Sequence, residues 1–323
     1  MAARDQHPIP SGYGHASTAS EVLHGISLEK RNFVVTGGYS GIGLETVRAL
    51  AAAGAHVIVP ARSREKAEAA LEGIEGSIEV AEMDLADLAS VRKFAREFSQ
   101  TGRPLHGLIN NAGIMAAPLA RVGDEWESQF AICHLGHFEL ARGLEQPLKD
   151  GGSARVVALS SIAHARSDII WDDIHFRNRP YDKWEAYGQA KTADALFALG
   201  LDRRWNSDGV RAFSVHPGGI FTPLQRHLSD EEMVAMGWKA PDGTIPPMVQ
   251  ARFKSPEAGA ATAVWCATSP QLEGRGGVYC EDCDIAQLAG PASQRWEHVR
   301  PWACDDASAD RLWGLSEAML AHG

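Results

Sequence analysis

The segment Phe33-Val34-Val35-Thr36-Gly37-Gly38-Tyr39-Ser40-Gly41-Ile42-Gly43 constrains this chain most, because a short apolar run passes through a glycine-rich turn straight into helical spacing. Leu44, Val47, Leu50 and Ala51 then recur on one face until Gly54 closes the helix. Glycines allow positive φ and close backbone approach, and a helix that starts at such a turn offers free N–H groups and the positive end of its dipole. A phosphate suits that arrangement. A tight strand-to-helix turn without a ligand would use the same glycines, so the rest of the chain must decide.

The alternation continues along the sequence. Strands are expected at His56–Val59, Ile78–Ala81, Leu105–Ile109, Arg155–Leu159, Val210–Val215 and Gly277–Cys280. Helices are expected from about Ser63, over Leu88–Phe98, as one long element from Asp124 to Leu148, over Glu185–Trp205, and from the capped start Ser255-Pro256-Glu257 through Thr268. Short apolar strands alternating with amphipathic helices imply parallel crossovers, hence a single α/β doubly wound domain: a mainly parallel sheet of about seven strands with helices on both faces.

Composition narrows the partners. The 323 residues are 45% hydrophobic and 22% charged, enough for a large core, and 31 Lys and Arg against 41 Asp and Glu give −10. That surplus argues against nucleic acid and anionic membrane surfaces without excluding one local basic pocket. Five cysteines in a long chain do not resemble a secreted disulfide framework, and no signal-peptide h-region or spanning apolar segment is seen, so a cytoplasmic location is expected. The layout reads as a polar N-terminal arm over residues 1–25, poorly ordered or wrapped over the domain, the nucleotide-binding domain over 26–290, and a C-terminal extension over 291–323. The domain carries an aromatic insert at 162–186 and a lid at 219–253.

The second strand ends in Ala61-Arg62-Ser63-Arg64, with no acid before Glu65. An acid here would bind the ribose 2′-hydroxyl of NAD, whereas Arg62 suits the 2′-phosphate of NADP(H). Asp84 and Leu85 follow the third strand; Asp84 is placed to accept from an adenine amino group or to cap the next helix. Tyr187 and Lys191 lie four apart in a helical segment and so share a face. A free phenol titrates near 10, and a Lys cation about 4 Å away is worth about 4 kcal/mol at an effective dielectric of about 20, enough to bring it close to working range. The spacing alone is common by chance. Its company is not: Asn110-Asn111-Ala112-Gly113, Ser160-Ser161 and His216-Pro217-Gly218 all follow strands, at the edge where such sheets bind ligands.

With these motifs in order, the sequence resembles the short-chain dehydrogenase/reductase family over about Gly25 to Gln287, and within it the retinol-dehydrogenase and WW-domain-oxidoreductase branch, without WW modules. The resemblance implies a Rossmann fold with Tyr187 as general acid/base, Lys191 as its tuner and ribose partner, and Ser161 orienting a substrate carbonyl. It implies cofactor contacts from Thr36, Gly37, Tyr39, Ser40, Gly41, Ile42, Gly43, Arg62, Asn111, Ala112, Gly113, Pro217, Gly218 and Thr222. It also implies pairing into a homodimer or homotetramer through Asp124–Leu148 and Glu185–Trp205. One departure is Cys133, before His134-Leu135-Gly136-His137-Phe138, where the family usually has Asn. A thiol cannot imitate an amide, but the main-chain carbonyl survives if the helix keeps a local kink.

Cys280-Glu281-Asp282-Cys283 lacks the second pair a zinc site needs, and His134 and His137 lack the HExxH glutamate, so no metal is expected. Trp171, Phe176, Tyr181 and Trp184 in the insert either cap the fold or line a pocket. Leu224, Met233, Met236, Trp238 and Met248 give the lid an apolar, adaptable wall. The expected activity is NADP(H)-dependent hydride transfer to or from a bulky hydrophobic carbonyl or alcohol. The alternative is a catalytically weak NADPH-binding sensor or scaffold.

Overall fold

The computed structural model describes residues 6–322, so the first five residues of the expected arm and Gly323 lie outside it. Eight strands form one sheet: β1 Asn32–Val35, β2 His56–Ala61, β3 Ser77–Glu82, β4 Gly107–Asn110, β5 Ala154–Leu159, β6 Val210–His216, β7 Val278–Glu281 and β8 Asp284–Ile285. Their order is β3-β2-β1-β4-β5-β6-β7-β8, parallel except for the β7–β8 hairpin. The strand beyond the expected seven is two residues long, too short to leave a periodic signal. Asp282 and Cys283, both at positive φ, make the tight turn into it.

Period-two alternation places the two cores. Val34, Ile58, Leu108 and Val156 face one layer of helices, and Phe33, Val35, Val57, Ile109 and Val157 face the other. Against the second group pack α1 (Gly41–Ala52) and, further along the chain, Pro256–Thr268. Against the first pack α2 (Leu88–Gln100), α3 (Gly136–Gly143), α4 (Lys183–Trp205) and α5 (Asp306–His322). Chain order reverses between β1 and β4, so a crevice opens at the carboxyl ends of the strands there.

The long helix expected over 124–148 is broken. Arg121–Val122 and Trp126–Glu127 form a small antiparallel ribbon, and residues 128–130 make a single helical turn. Residues Ala131–Leu135 then follow as a π-helix, and α3 ends at Gly143 before a separate turn from Glu145 to Asp150. Pro147 accounts for part of this, because a proline inside one continuous helix would remove a backbone bond. The described part of the arm wraps the domain: Gln6 is buried, its amide donating to the Tyr279 and Ala286 carbonyls and accepting from the Tyr279 N–H. Among the described residues no helix is long and apolar enough to cross a membrane.

Candidate active site

A cavity of about 1520 Å³ lies along the crevice. One limb runs over the glycine turn. Gly37, at φ +65°, has Ala112 Cα 3.1 Å from where a Cβ would stand, and Gly43 has no room for one against the Gly37 carbonyl. Thr36, Gly37, Tyr39, Ser40, Gly41 and Ile42 line the limb, whereas Gly43 lies behind it. Ser40, the N-cap of α1, makes no side-chain cap bond, so first-turn N–H groups are left for a ligand. Thr222 packs over Gly41 from across the cavity, near Pro217 and Gly218 on the same wall.

Arg62 reaches this limb and, among the described residues, has neither ion pair nor hydrogen bond. Arg64, which the sequence set beside it, turns away: it bonds the Val80 carbonyl and lies 3.7 Å from Glu68. Asp84 and Leu85 line the same limb, with one Asp84 oxygen accepting from Ala86 N at 2.9 Å; the cap of α2 is Asp87 instead. Asn111, Ala112 and Gly113 line it too, although the Asn111 amide braces the turn by donating to the Thr36 carbonyl at 2.8 Å. Neighbouring Asn110 is buried with both amide atoms unpartnered. Asn110 does not line the cavity; the free first-turn N–H groups and the glycine turn that closes on them fit the phosphates of a dinucleotide.

The π-helix is tied to this limb. His137 Nδ1 donates to the Cys133 carbonyl at 2.8 Å, which leaves Nε2 to accept from the Thr36 hydroxyl at 2.9 Å; that oxygen in turn accepts from Asn111 N and Ala112 N. Burial pushes His137 down to about 4, which keeps the ring neutral as this chain of bonds requires. The local kink is therefore present with Cys133, but its carbonyl already has a partner. The Cys133 thiol contacts the Ile114 carbonyl at 3.6 Å, and burial raises its pKa.

The second limb holds the candidate chemistry. The two serines after β5 divide their work: Ser160 donates to the Lys191 carbonyl at 2.7 Å and so pins α4 to the sheet, while Ser161 lines the cavity and caps the short turn Ile162–Arg166. Tyr187 and Lys191 both line the cavity, with Lys191 Nζ 5.6 Å from the Tyr187 ring centroid. Burial raises the phenol pKa, against Lys191 and the Ser161 hydroxyl, which lower it. The sequence expectation of a lowered phenol is therefore not met in this arrangement. The net direction is upward because burial, the largest influence, outweighs the cation, and a residue outside the motif adds a smaller upward push. Asp194, one turn along α4, holds Lys191 Nζ at 2.8 Å, and Nζ also donates to the Leu159 carbonyl at 2.8 Å. Desolvation opposes the ammonium, but Asp194, with Cys133 and Tyr187, outweighs it and raises the Lys191 pKa; burial pushes Asp194 up to about 6.

The insert splits between the roles open to it. Phe176 and Tyr181 pack on one another, and Tyr181 bonds Gln129 and Glu127. Trp171 packs towards the core under Arg311 of α5, leaving Trp184 as the one of the four on the cavity wall. Trp184 meets Tyr187 and the lid residue Trp238 edge-on at 6.4 and 6.3 Å. Leu224, Met233, Met236 and Trp238 pack around Tyr187 and Met115, and the lid is fastened by the Lys183–Glu232 ion pair. All five cysteines are free thiols in buried positions, and no metal-binding cluster is found among the described residues. Sequence reasoning missed Asp194 and Arg166; for Asp194 the three-residue spacing from Lys191 was the available signal.

A doubly wound sheet with a glycine-turn helix N-terminus and a Ser-Tyr-Lys set on one crevice defines a Rossmann-type oxidoreductase. The chain belongs to the short chain dehydrogenase family, whose pattern matches residues 31–233. A Streptomyces lividans protein named "Probable oxidoreductase" is 45% identical over 92% of this chain and 100% of its own. The WW domain-containing oxidoreductase of Danio rerio is 36% identical over 98% of this chain and 74% of its own. Among solved structures, an uncharacterised protein from Mycobacterium paratuberculosis superposes with TM-score 0.70 at 33% identity, covering 94% of this chain and 97% of that one.

Proposed function

We propose that the protein is an NADP(H)-dependent oxidoreductase acting on a bulky, hydrophobic carbonyl or alcohol. The observation that carries this is the meeting of Ser161, Tyr187 and Lys191 in one cavity with an uncapped helix N-terminus and the unpaired Arg62. A bound nicotinamide cofactor would supply or accept the hydride. Thr36, Tyr39, Ser40, Gly41 and Ile42 would hold its phosphates, Arg62 the 2′-phosphate, Asp84 and Leu85 the adenine end, and Asn111, Ala112, Gly113, Pro217, Gly218 and Thr222 the flanks of the cleft. Gly43 acts indirectly, by letting the turn close.

In this reading Ser161 and Tyr187 bind the substrate oxygen with two hydrogen bonds, and Tyr187 Oη passes a proton to it or takes one from it. Lys191 favours the phenolate in the oxidation direction. The Met- and Trp-rich walls exclude water and suit an apolar body. A second reading, an NADPH-binding protein of weak activity, is favoured by the Lys191–Asp194 pair, which offsets the charge that would activate Tyr187.

An NADPH-oxidation screen over carbonyls of graded size, run beside Tyr187→Phe, separates the two. Turnover that falls by at least 100-fold in Tyr187→Phe supports the enzyme. Thermal stabilisation by NADPH without turnover of any carbonyl supports the sensor, and stabilisation by NADH alone sinks the assignment to Arg62.

A further inference from the structure

Arg166 ends the short turn that starts at Ser161, and it lines the same cavity as Ser161 and Tyr187. Its guanidinium carbon lies 4.9 Å from the Trp184 ring centroid and 5.1 Å from that of Trp296, so two indoles hold the fork from opposite elements of the chain. The side chain is partly buried, yet among the described residues it has no ion pair and no hydrogen bond. Three other partly buried arginines have acceptors: Arg155 bonds the Cys266 carbonyl, Arg179 pairs with Asp173 and Glu185, and Arg211 pairs with Asp202.

Among the described residues Asp182 is the one carboxylate whose charge favours the Arg166 cation, and it makes no ion pair with it. Desolvation and the neighbouring Arg295 both disfavour its cation, and the opposing carboxylate, Asp182, caps α4 by accepting from Trp184 N and Glu185 N at 2.8 Å. The cavity's acids make no ion pair with it: Asp282 pairs with Lys254 at 2.5 Å, and neither Asp84 nor Glu281 bonds the Arg166 guanidinium. Five donors fixed in a plane, partly desolvated and without an acceptor, amount to a receptor for a planar anion.

We propose that Arg166 is a specificity-determining residue that binds a carboxylate on the substrate, so that the substrate is a keto or hydroxy acid whose apolar body separates the reacting carbon from the acid. This rests on the reading of Ser161 and Tyr187 as the reacting end. Trp184 touches both Arg166 and Tyr187, and Met115, Met236 and Trp238 pack beside Tyr187, so these walls take the apolar body. An acid of this kind enters as an anion, and Arg166 fixes which end faces Tyr187.

Two measurements test this. With NADP⁺ present, binding of naphthoate and of naphthamide is titrated by tryptophan fluorescence in wild type, Arg166→Met and Arg166→Lys, each first shown by melting to be folded. Wild type should prefer the acid by about 10–100-fold, the Met variant should lose that preference, and the Lys variant should keep part of it. With NADPH, acetylnaphthoate and its methyl ester are compared as substrates, and the acid-over-ester ratio of kcat/KM, carried mainly by KM, should collapse in Arg166→Met. Equal binding of acid and amide by wild type, binding of neither, or an acid preference that survives in Arg166→Met overturns the proposal. A naphthoate preference that depends on Arg166 without turnover of any carbonyl upholds the anion site and counts against the oxidoreductase reading alone.

Discussion

Lys191 Nζ and Asp194 Oδ2 lie 2.8 Å apart, and both side chains are nearly closed to solvent, at 7% and 5% exposure. The ammonium that faces Tyr187 is thus half of a buried ion pair, and its field at the phenol is partly cancelled by a carboxylate one turn away. Removing one partner of such a pair leaves the other charge uncompensated, which commonly costs about 3–5 kcal/mol. Asparagine keeps an acceptor for Nζ, so Asp194→Asn should cost less, about 1–3 kcal/mol in thermal or denaturant unfolding.

The same substitution should move the pH profile of alcohol oxidation. Tyr187 must be a phenolate to accept a proton, and its pKa is raised by burial and lowered by Lys191. Without the Asp194 charge the cation acts undiluted, so the rising limb should shift about one pH unit or more towards acid, equivalent to about 1.4 kcal/mol. Asp194 itself, pushed up to about 6 by burial, should produce a further inflection near that pH in wild type that the Asn variant lacks. An unshifted rising limb would show that the ion pair is structural only.

Arg62 is tested through the difference between two cofactors. Its guanidinium reaches the crevice with no partner among the described residues. Arg62→Gln should weaken NADPH binding by about 10–100-fold, as expected for a charge-assisted pair of about 1.5–3 kcal/mol, while NADH binding moves by less than about threefold. Equal weakening of both cofactors would mean that Arg62 serves the diphosphate or the fold.

His134 offers a stability test. It is buried among Phe130, Phe138 and Phe197, bonded to Ser316 at 2.7 Å, and burial, with some repulsion from His137, pushes its pKa down to about 3. The folded pKa lies below the unfolded value near 6.5, so the unfolded state binds the extra proton. The stability this group contributes is complete above about pH 6.5 and is lost as pH falls, by about 2 kcal/mol on reaching about pH 5. His134→Phe suits the aromatic surroundings and leaves Ser316 bonded to the Leu312 carbonyl. Unfolding measured at about pH 7 and about pH 5 should show the variant losing about 2 kcal/mol less than wild type.

What the sequence made legible followed from local periodicity. The strand-turn-helix at Thr36–Gly43 and the shared face of Tyr187 and Lys191 depend on residues within two turns of each other, and there the expectations hold as geometry. The π-helix at 131–135 left no trace, because its extra residue per turn does not alter which residues are apolar. The direction of Arg64 is set by Glu68 and the Val80 carbonyl on the neighbouring strand, not by Arg62 beside it in sequence. Arg166 gains its setting from Trp296, 130 positions away, so no local window contains it.

The C-terminal helix bears on assembly. Family resemblance led to the expectation of pairing through the segments 124–148 and 185–205, but α5 of the same chain lies on α4, where Trp313 meets Phe138 at 4.7 Å, Phe197 at 6.4 Å and Trp205 at 6.1 Å. Ala309, Leu312 and Leu320 are buried in the same contact. A face covered in this way cannot also be buried by a second copy, so light scattering should give a mass near 34.8 kDa. A dimer or tetramer mass would show that another surface pairs. Trp313→Ala opens a cavity in a buried aromatic cluster and should cost about 3–5 kcal/mol. If the covered face is the one with pairing potential, that variant should also show a concentration-dependent rise in mass under conditions where wild type shows none, because loosening α5 exposes Phe138 and Phe197 together.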